Sequence, residues 1–106
     1  MPRPAPGEIW RVDLGLTAKV RPCLVMSDYP GEDELALVLV IPHTTAVRRK
    51  RWEFACAKSF LKPGVFHLQQ SQPVSLSRLE IKLGALTSDE FHALGKQLAA
   101  LLRLNL

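Results

Sequence analysis

Leu35-Ala-Leu-Val-Leu-Val-Ile41 is the longest apolar run in the chain, and Pro42 follows it directly. A run of this length suits a strand and falls far short of the ~20 residues that cross a bilayer. It offers no polar face, so it is predicted as a strand buried on both sides or placed centrally in a sheet. Pro42 is expected to break its ladder, because proline has no N–H to donate.

Working outward from this run, further strands follow on both sides. Upstream, Pro22-Cys-Leu-Val-Met-Ser27 is a compact apolar run closed by the turn signal Asp28-Tyr-Pro-Gly31. Before it, Gly7-Glu-Ile-Trp-Arg-Val-Asp13 alternates and is rich in aromatic and β-branched residues, as a first strand should be. Downstream, Trp52-Glu-Phe-Ala-Cys56 alternates, Lys62-Pro-Gly64 marks a turn, and Val65-Phe-His-Leu68 starts a fifth strand. Pro73-Val-Ser-Leu76 extends the sheet edge, and Leu79-Glu-Ile-Lys-Leu83 alternates up to Gly84. The period then changes. Thr87-Ser-Asp-Glu90 has the form of a capping box, in which the hydroxyl and the carboxylate each satisfy the other's backbone N–H. Beyond it Phe91, Leu94, Leu98, Leu101 and Leu102 form one helical stripe, with Lys96, Gln97 and Arg103 expected outward. The pattern is mainly β (β+α): a small, partly open barrel with a C-terminal helix packed on it.

The 106 residues allow one domain, taken as residues 7–106 behind a proline-rich tail of residues 1–6 that is expected to be extended and mobile. That start lacks an apolar h-region, so the cytoplasm is the default compartment and no membrane association is expected. Cys23 and Cys56 are expected as reduced thiols, and His43, His67 and His92 lack metal-ligand spacing, so neither a metal nor a cofactor is expected. The net charge of +4 is unevenly placed: Arg48-Arg49-Lys50-Arg51 puts four cations in a row, while Glu32-Asp33-Glu34 gathers acids.

Three segments, in order, resemble the MazF/PemK family of toxins: Gly7-Glu-Ile-Trp-Arg-Val-Asp-Leu14, Arg21-Pro-Cys-Leu-Val-Met-Ser27, and Val38-Leu-Val-Ile-Pro-His-Thr-Thr45. Val65-Phe-His-Leu-Gln-Gln70, Ser77-Arg-Leu79 and Lys82-Leu-Gly84 continue the resemblance, which spans roughly residues 7 to 103. It implies an SH3-like, CcdB-like barrel and a homodimer. It also implies metal-independent cleavage of single-stranded RNA (mRNA) and a cognate antitoxin whose C-terminal segment occupies the RNA groove.

By the same resemblance, Arg21 and Thr44 match the catalytic positions. Metal-free cleavage uses the neighbouring 2′-hydroxyl to attack phosphorus, giving a 2′,3′-cyclic phosphate and a 5′-hydroxyl. A guanidinium fork fits the charged phosphate, and a threonine hydroxyl can donate to it. His43 is a candidate general base by its ordinary pKa of roughly 6.5, although strand alternation would aim it away from a groove faced by Thr44. Thr45 and the Arg48, Arg49, Lys50, Arg51 cluster are expected to contact RNA, the cluster attracting phosphates without reading sequence. Gln70, Ser71 and Gln72 offer donors and acceptors for unpaired base edges. Trp52 could stack a base or pack in the core, and Trp10 is expected in the core.

Two departures separate the chain from the family pattern. Only seven residues, Leu14 to Val20, lie between Asp13 and Arg21 where many relatives carry a longer covering loop. The family's Q-x-R is Gln70-Ser71-Gln72 here, and its usual Asp is Ser75. The alternative is a non-catalytic protein on the same fold, either a gyrase poison or a degenerate member that binds antitoxin or RNA without cutting. The Leu104-Asn-Leu106 ending differs from the Trp-Gly-Ile tail of gyrase poisons.

Overall fold

The structure, a computed structural model, describes residues 3–15 and 19–104. Among the described residues, seven strands form an open antiparallel sheet: β1 (Glu8–Asp13), β2 (Val20–Val25), β3 (Leu37–Thr44), β4 (Glu53–Phe54), β5 (Val65–His67), β6 (Gln72–Ser75) and β7 (Leu79–Ala85). Two 3₁₀ turns, Leu68–Gln70 and Leu76–Arg78, join β5 to β6 and β6 to β7, and helix α1 (Ser88–Leu102) follows. The strand order is β4-β5-β3-β2-β1-β7, with β6 beside β3. The mainly-β sheet with a C-terminal helix is the architecture the sequence predicts. Leu16–Ala18 of the short loop and the Asn105-Leu106 ending lie outside the described residues.

The apolar run is the hub of the sheet, but it does not stop at Pro42. β3 runs on to Thr44, with Pro42 in register with Cys23 of β2. Along its other edge, Leu37–Val40 pair with β6 and His43–Thr44 pair with β5. Pro42 therefore falls where that edge exchanges one partner for the other, and its missing N–H interrupts neither ladder. The run is central, as predicted, yet only alternate side chains are covered along its first half: Val38 and Val40 are buried while Leu39 stays 48% exposed.

Successive side chains point to opposite faces of a strand, and both faces of this sheet carry a core. On one, Trp10, Val12, Cys23, Val25, Val38, Val40, Val74 and Leu79 cluster between β1, β2, β3, β6 and β7. On the other, Ile9, Leu24, Ile41, Phe66, Leu68 and Leu86 meet Leu94 of α1, flanked by Phe91, Leu98 and Leu101. Fully burying a side chain such as Leu94 contributes roughly 1.5–3 kcal/mol, so the stripe fixes the helix on the sheet. Register shifts between β1 and β7, at Ile9/Trp10 and Arg11/Val12, are bulges that increase local twist.

The capping box forms as predicted. The Thr87 hydroxyl accepts from the Glu90 N–H at 3.2 Å, and the Glu90 carboxylate accepts from the Thr87 N–H at 2.7 Å. Lys96 and Arg103 are exposed, whereas Gln97 turns back and donates to the Arg51 carbonyl at 2.9 Å. Ahead of β1, Pro4 is buried, the Ala5 N–H donates to the Glu8 carboxylate, and Arg3 lies over the Tyr29 ring.

Candidate active site

Regular pairing between β2 and β3 ends at Cys23–Pro42, and that register extended by two residues sets Arg21 level with Thr44. Beyond the last pair the two strands bound a pocket of about 290 Å³, lined by Arg21 and Pro22 from β2, by His43 from β3 and by Thr45 just past its end. Phe60, Leu61 and Lys62 close its far wall. This is the low end of the size range of small-ligand sites.

His43 is 4% exposed and meets the Phe66 ring edge-on at 5.0 Å between centroids. Burial lowers its pKa, so at neutral pH the imidazole is uncharged and one ring nitrogen can accept a proton. The facing is the reverse of the one expected from the sequence: His43 and Thr45 line the pocket, and Thr44, alternating between them, is not among its lining residues. The Thr44 hydroxyl oxygen accepts from the Ala46 N–H at 3.1 Å, which leaves its hydrogen able to donate.

The far wall is braced from α1. The Lys58 ammonium bonds to Glu90 at 2.6 Å, and the Cys56 thiol donates to the same carboxylate at 3.0 Å. These bonds, the thiol's first, hold the Glu90 carboxyl down at about 2. Desolvation, then the bond to Glu90, pushes the Cys56 thiol up to about 11, while burial raises Cys23 to about 12. Both cysteines are free thiols, as predicted. Phe60 sits directly on Gly84, where a Cβ would fall 2.4 Å from its ring. Among the described residues, no group of three His, Cys, Asp or Glu side chains is placed to hold a metal ion. No described helix is long and apolar enough to cross a membrane.

Arg48, Arg49, Lys50 and Arg51 are all exposed on the loop that leaves Thr45 and enters β4. Arg51 lies over the Trp52 ring at 4.3 Å, and Trp52, half-buried, packs against the helix-side core. One face of that indole is thus already covered by a cation. Glu53, which the sequence reading passed over, accepts from the Arg48 N–H at 2.8 Å and the Lys50 N–H at 3.2 Å. Those backbone bonds, led by the one from Arg48, lower its carboxyl pKa.

Gln70, Ser71 and Gln72 are not brought to this pocket. Gln72 pairs with Val40, four residues or about 13 Å up β3 from Thr44. Ser71 bonds to the Leu68 carbonyl and Gln72 to the Gln70 carbonyl, so part of their polar capacity is already engaged. Glu53 and Phe60 were given no role from the sequence, and Lys62 and Glu90 were read only as parts of a turn and a capping box. The one available signal was the Lys62-Pro63-Gly64 turn, which marked a bend without showing what it faced.

Fold and site together define a small open-sheet domain with a pocket lined by Arg, His and Thr, and a four-cation loop that follows its Thr45 in the chain. The chain belongs to the PemK-like, MazF-like toxins of type II toxin-antitoxin systems, the family it matches over residues 5–102. None of the curated proteins matches it by sequence. Among solved structures, it is similar to a MazE-MazF structure from Deinococcus radiodurans, with 21% identity, 99% of this chain and 100% of that one covered, and a TM-score of 0.81. The Mycobacterium tuberculosis toxin MazF-mt6 is 24% identical over 93% of this chain and 99% of its own, with a TM-score of 0.78. An endoribonuclease in complex with its cognate antitoxin, from a mycobacterial species, is 24% identical over 97% and 98%, with a TM-score of 0.79.

Proposed function

We propose that this toxin is a metal-independent endoribonuclease that cleaves single-stranded RNA and is held in check by a cognate antitoxin. The convergence of Arg21 and neutral His43 on one pocket carries the reading, and the Arg48–Arg51 loop that follows Thr45 adds to it. The solved relatives described as an endoribonuclease and as antitoxin complexes support it.

In this mechanism Arg21 neutralises charge growing on the non-bridging oxygens as the 2′-hydroxyl attacks phosphorus. The Thr44 hydroxyl, outside the pocket lining but adjoining it between His43 and Thr45, donates to the phosphate at its margin. His43 takes the 2′-hydroxyl proton, for which a neutral imidazole inside the pocket is suited. The 5′-oxygen leaves as a hydroxyl by taking a proton from water, the His43 imidazolium returns its proton to solvent, and the 2′,3′-cyclic phosphate remains on the upstream fragment. Thr45 and the cationic loop hold the flanking phosphates, and Gln70–Gln72 serve bases further along the strand.

The test is incubation of the purified protein with long single-stranded RNA in EDTA, beside Arg21→Ala. Fragments with 5′-hydroxyl ends are expected, with Arg21→Ala slower by at least about a hundredfold. Intact RNA after incubation with folded, antitoxin-free wild-type protein would refute the proposal.

A further inference from the structure

The four cations Arg48 to Arg51 enclose one acid, and it faces their backbone. Glu53 takes the Arg48 N–H on one carboxylate oxygen at 2.8 Å and the Lys50 N–H on the other at 3.2 Å. Between these two bonds Arg49 is in the left-handed region, at φ 55°. A residue with a β-carbon seldom adopts that conformation unless its surroundings impose it, and here a bond on either side does so. The loop's exit is tied separately: Gln97 of α1 donates to the Arg51 carbonyl at 2.9 Å, while the Arg51 guanidinium rests on Trp52. A chain of like charges would otherwise spread apart and sample many conformations. Here its backbone is gathered inward, and all four cationic side chains are exposed.

We propose that Glu53 is a positioning residue for RNA: by holding the loop's backbone N–H groups it presents Arg48, Arg49 and Lys50 as a pre-shaped phosphate clamp. The inference rests on the RNA-cleaving reading above and identifies the residue that shapes that site's phosphate-binding loop. Charge alone argues the opposite sign. A carboxylate beside four cations repels phosphate, so its removal should tighten RNA binding. If Glu53 instead orders the loop in advance, its removal leaves RNA to supply that order, and binding weakens. Ordering even one further backbone residue on binding costs about tenfold in affinity.

Glu53→Ala and Gln97→Ala are compared with wild type in two assays. Affinity is measured with a mixed-sequence 2′-deoxy oligonucleotide, which lacks the attacking hydroxyl, across a salt series. Cleavage of single-stranded RNA gives KM and kcat. For both variants Kd and KM are expected to rise about tenfold with kcat unchanged, because Arg21 and His43 are untouched. The slope of log Kd against log salt should stay within about one unit of wild type, since no cation is removed. Amide exchange at Arg48 and Lys50 should lose protection in Glu53→Ala.

Wild-type protein that binds and cuts RNA, with Glu53→Ala binding equally or more tightly, overturns this inference alone. Wild-type protein that neither binds nor cuts overturns the RNA-cleaving reading and this inference with it. Should Glu53→Ala fail to fold, Gln97→Ala decides: weakening supports a pre-shaped loop, and unchanged binding overturns it.

Discussion

Gly64→Ala should damage this protein far beyond the addition of one methyl group. A Cβ at position 64 would lie 2.2 Å from the Thr44 carbonyl oxygen, 2.9 Å from the Thr44 carbonyl carbon and 2.8 Å from His43 Cε1. Ordinary contact begins near 3.4 Å, so the 64–67 segment and the end of β3 must part by about 1 Å. The obstacle is backbone, which cannot rotate away as a side-chain tip can. β3 and β5 share only the pairs His43–Phe66 and Thr44–Val65, so such a shift strips the pairing at Thr44. Overpacking costs about 1–3 kcal/mol, and a backbone obstacle puts this case near the top of that range.

In urea the midpoint should fall by roughly 1–2 M. The cleavage rate should fall by about a hundredfold, because ~1 Å of misplacement at a reacting group costs that much. Gly95→Ala is the matched control. Nothing lies within 4 Å of its Cβ position on α1, so the same change should stabilise by about 0.5–1 kcal/mol through helix propensity and leave cleavage intact. A Gly64→Ala protein with the wild-type midpoint and rate would refute the reasoning that this close approach sets the position of Thr44 and His43.

Glu90 sets an acid limit on stability. Its carboxyl is held at about 2, against an ordinary 4.5, first by the Cys56 thiol and then by Lys58. A depressed carboxylate stabilises the fold fully above pH 4.5 and loses that contribution as pH falls towards 2. The stability gap between wild type and Glu90→Gln, followed by urea unfolding, should therefore be constant above pH 4.5 and close below it; a gap that stays flat to pH 2 would count against the clamp. A homodimer is expected, because Leu37, Leu39 and Leu102 leave apolar surface exposed on β3 and α1. Sedimentation as a monomer at micromolar concentration would remove that expectation.

By itself the sequence determined the local elements. Alternation marked β1 and β7, the Thr87–Glu90 box marked the start of α1, and the Leu94 stripe marked the helix face. Each follows from geometry repeated over neighbouring residues or from hydrogen bonds within one turn. Arg21 and Thr44 were singled out as site candidates by the family resemblance of the segments around them. Tertiary structure decided the rest. Pro42 failed to end its strand because β3 changes partner there, and β6 and β5 lie some thirty and twenty residues away in sequence. His43 joined Arg21 because regular β2–β3 pairing stops one residue before it, whereas Gln72 was carried to Val40, well up the strand. In the sequence Glu53 is simply an acid after a basic run; only the folded loop turns it onto the backbone of Arg48 and Lys50. Periodicity records which face a side chain takes relative to its neighbours, but what waits on that face is set by segments distant in the chain.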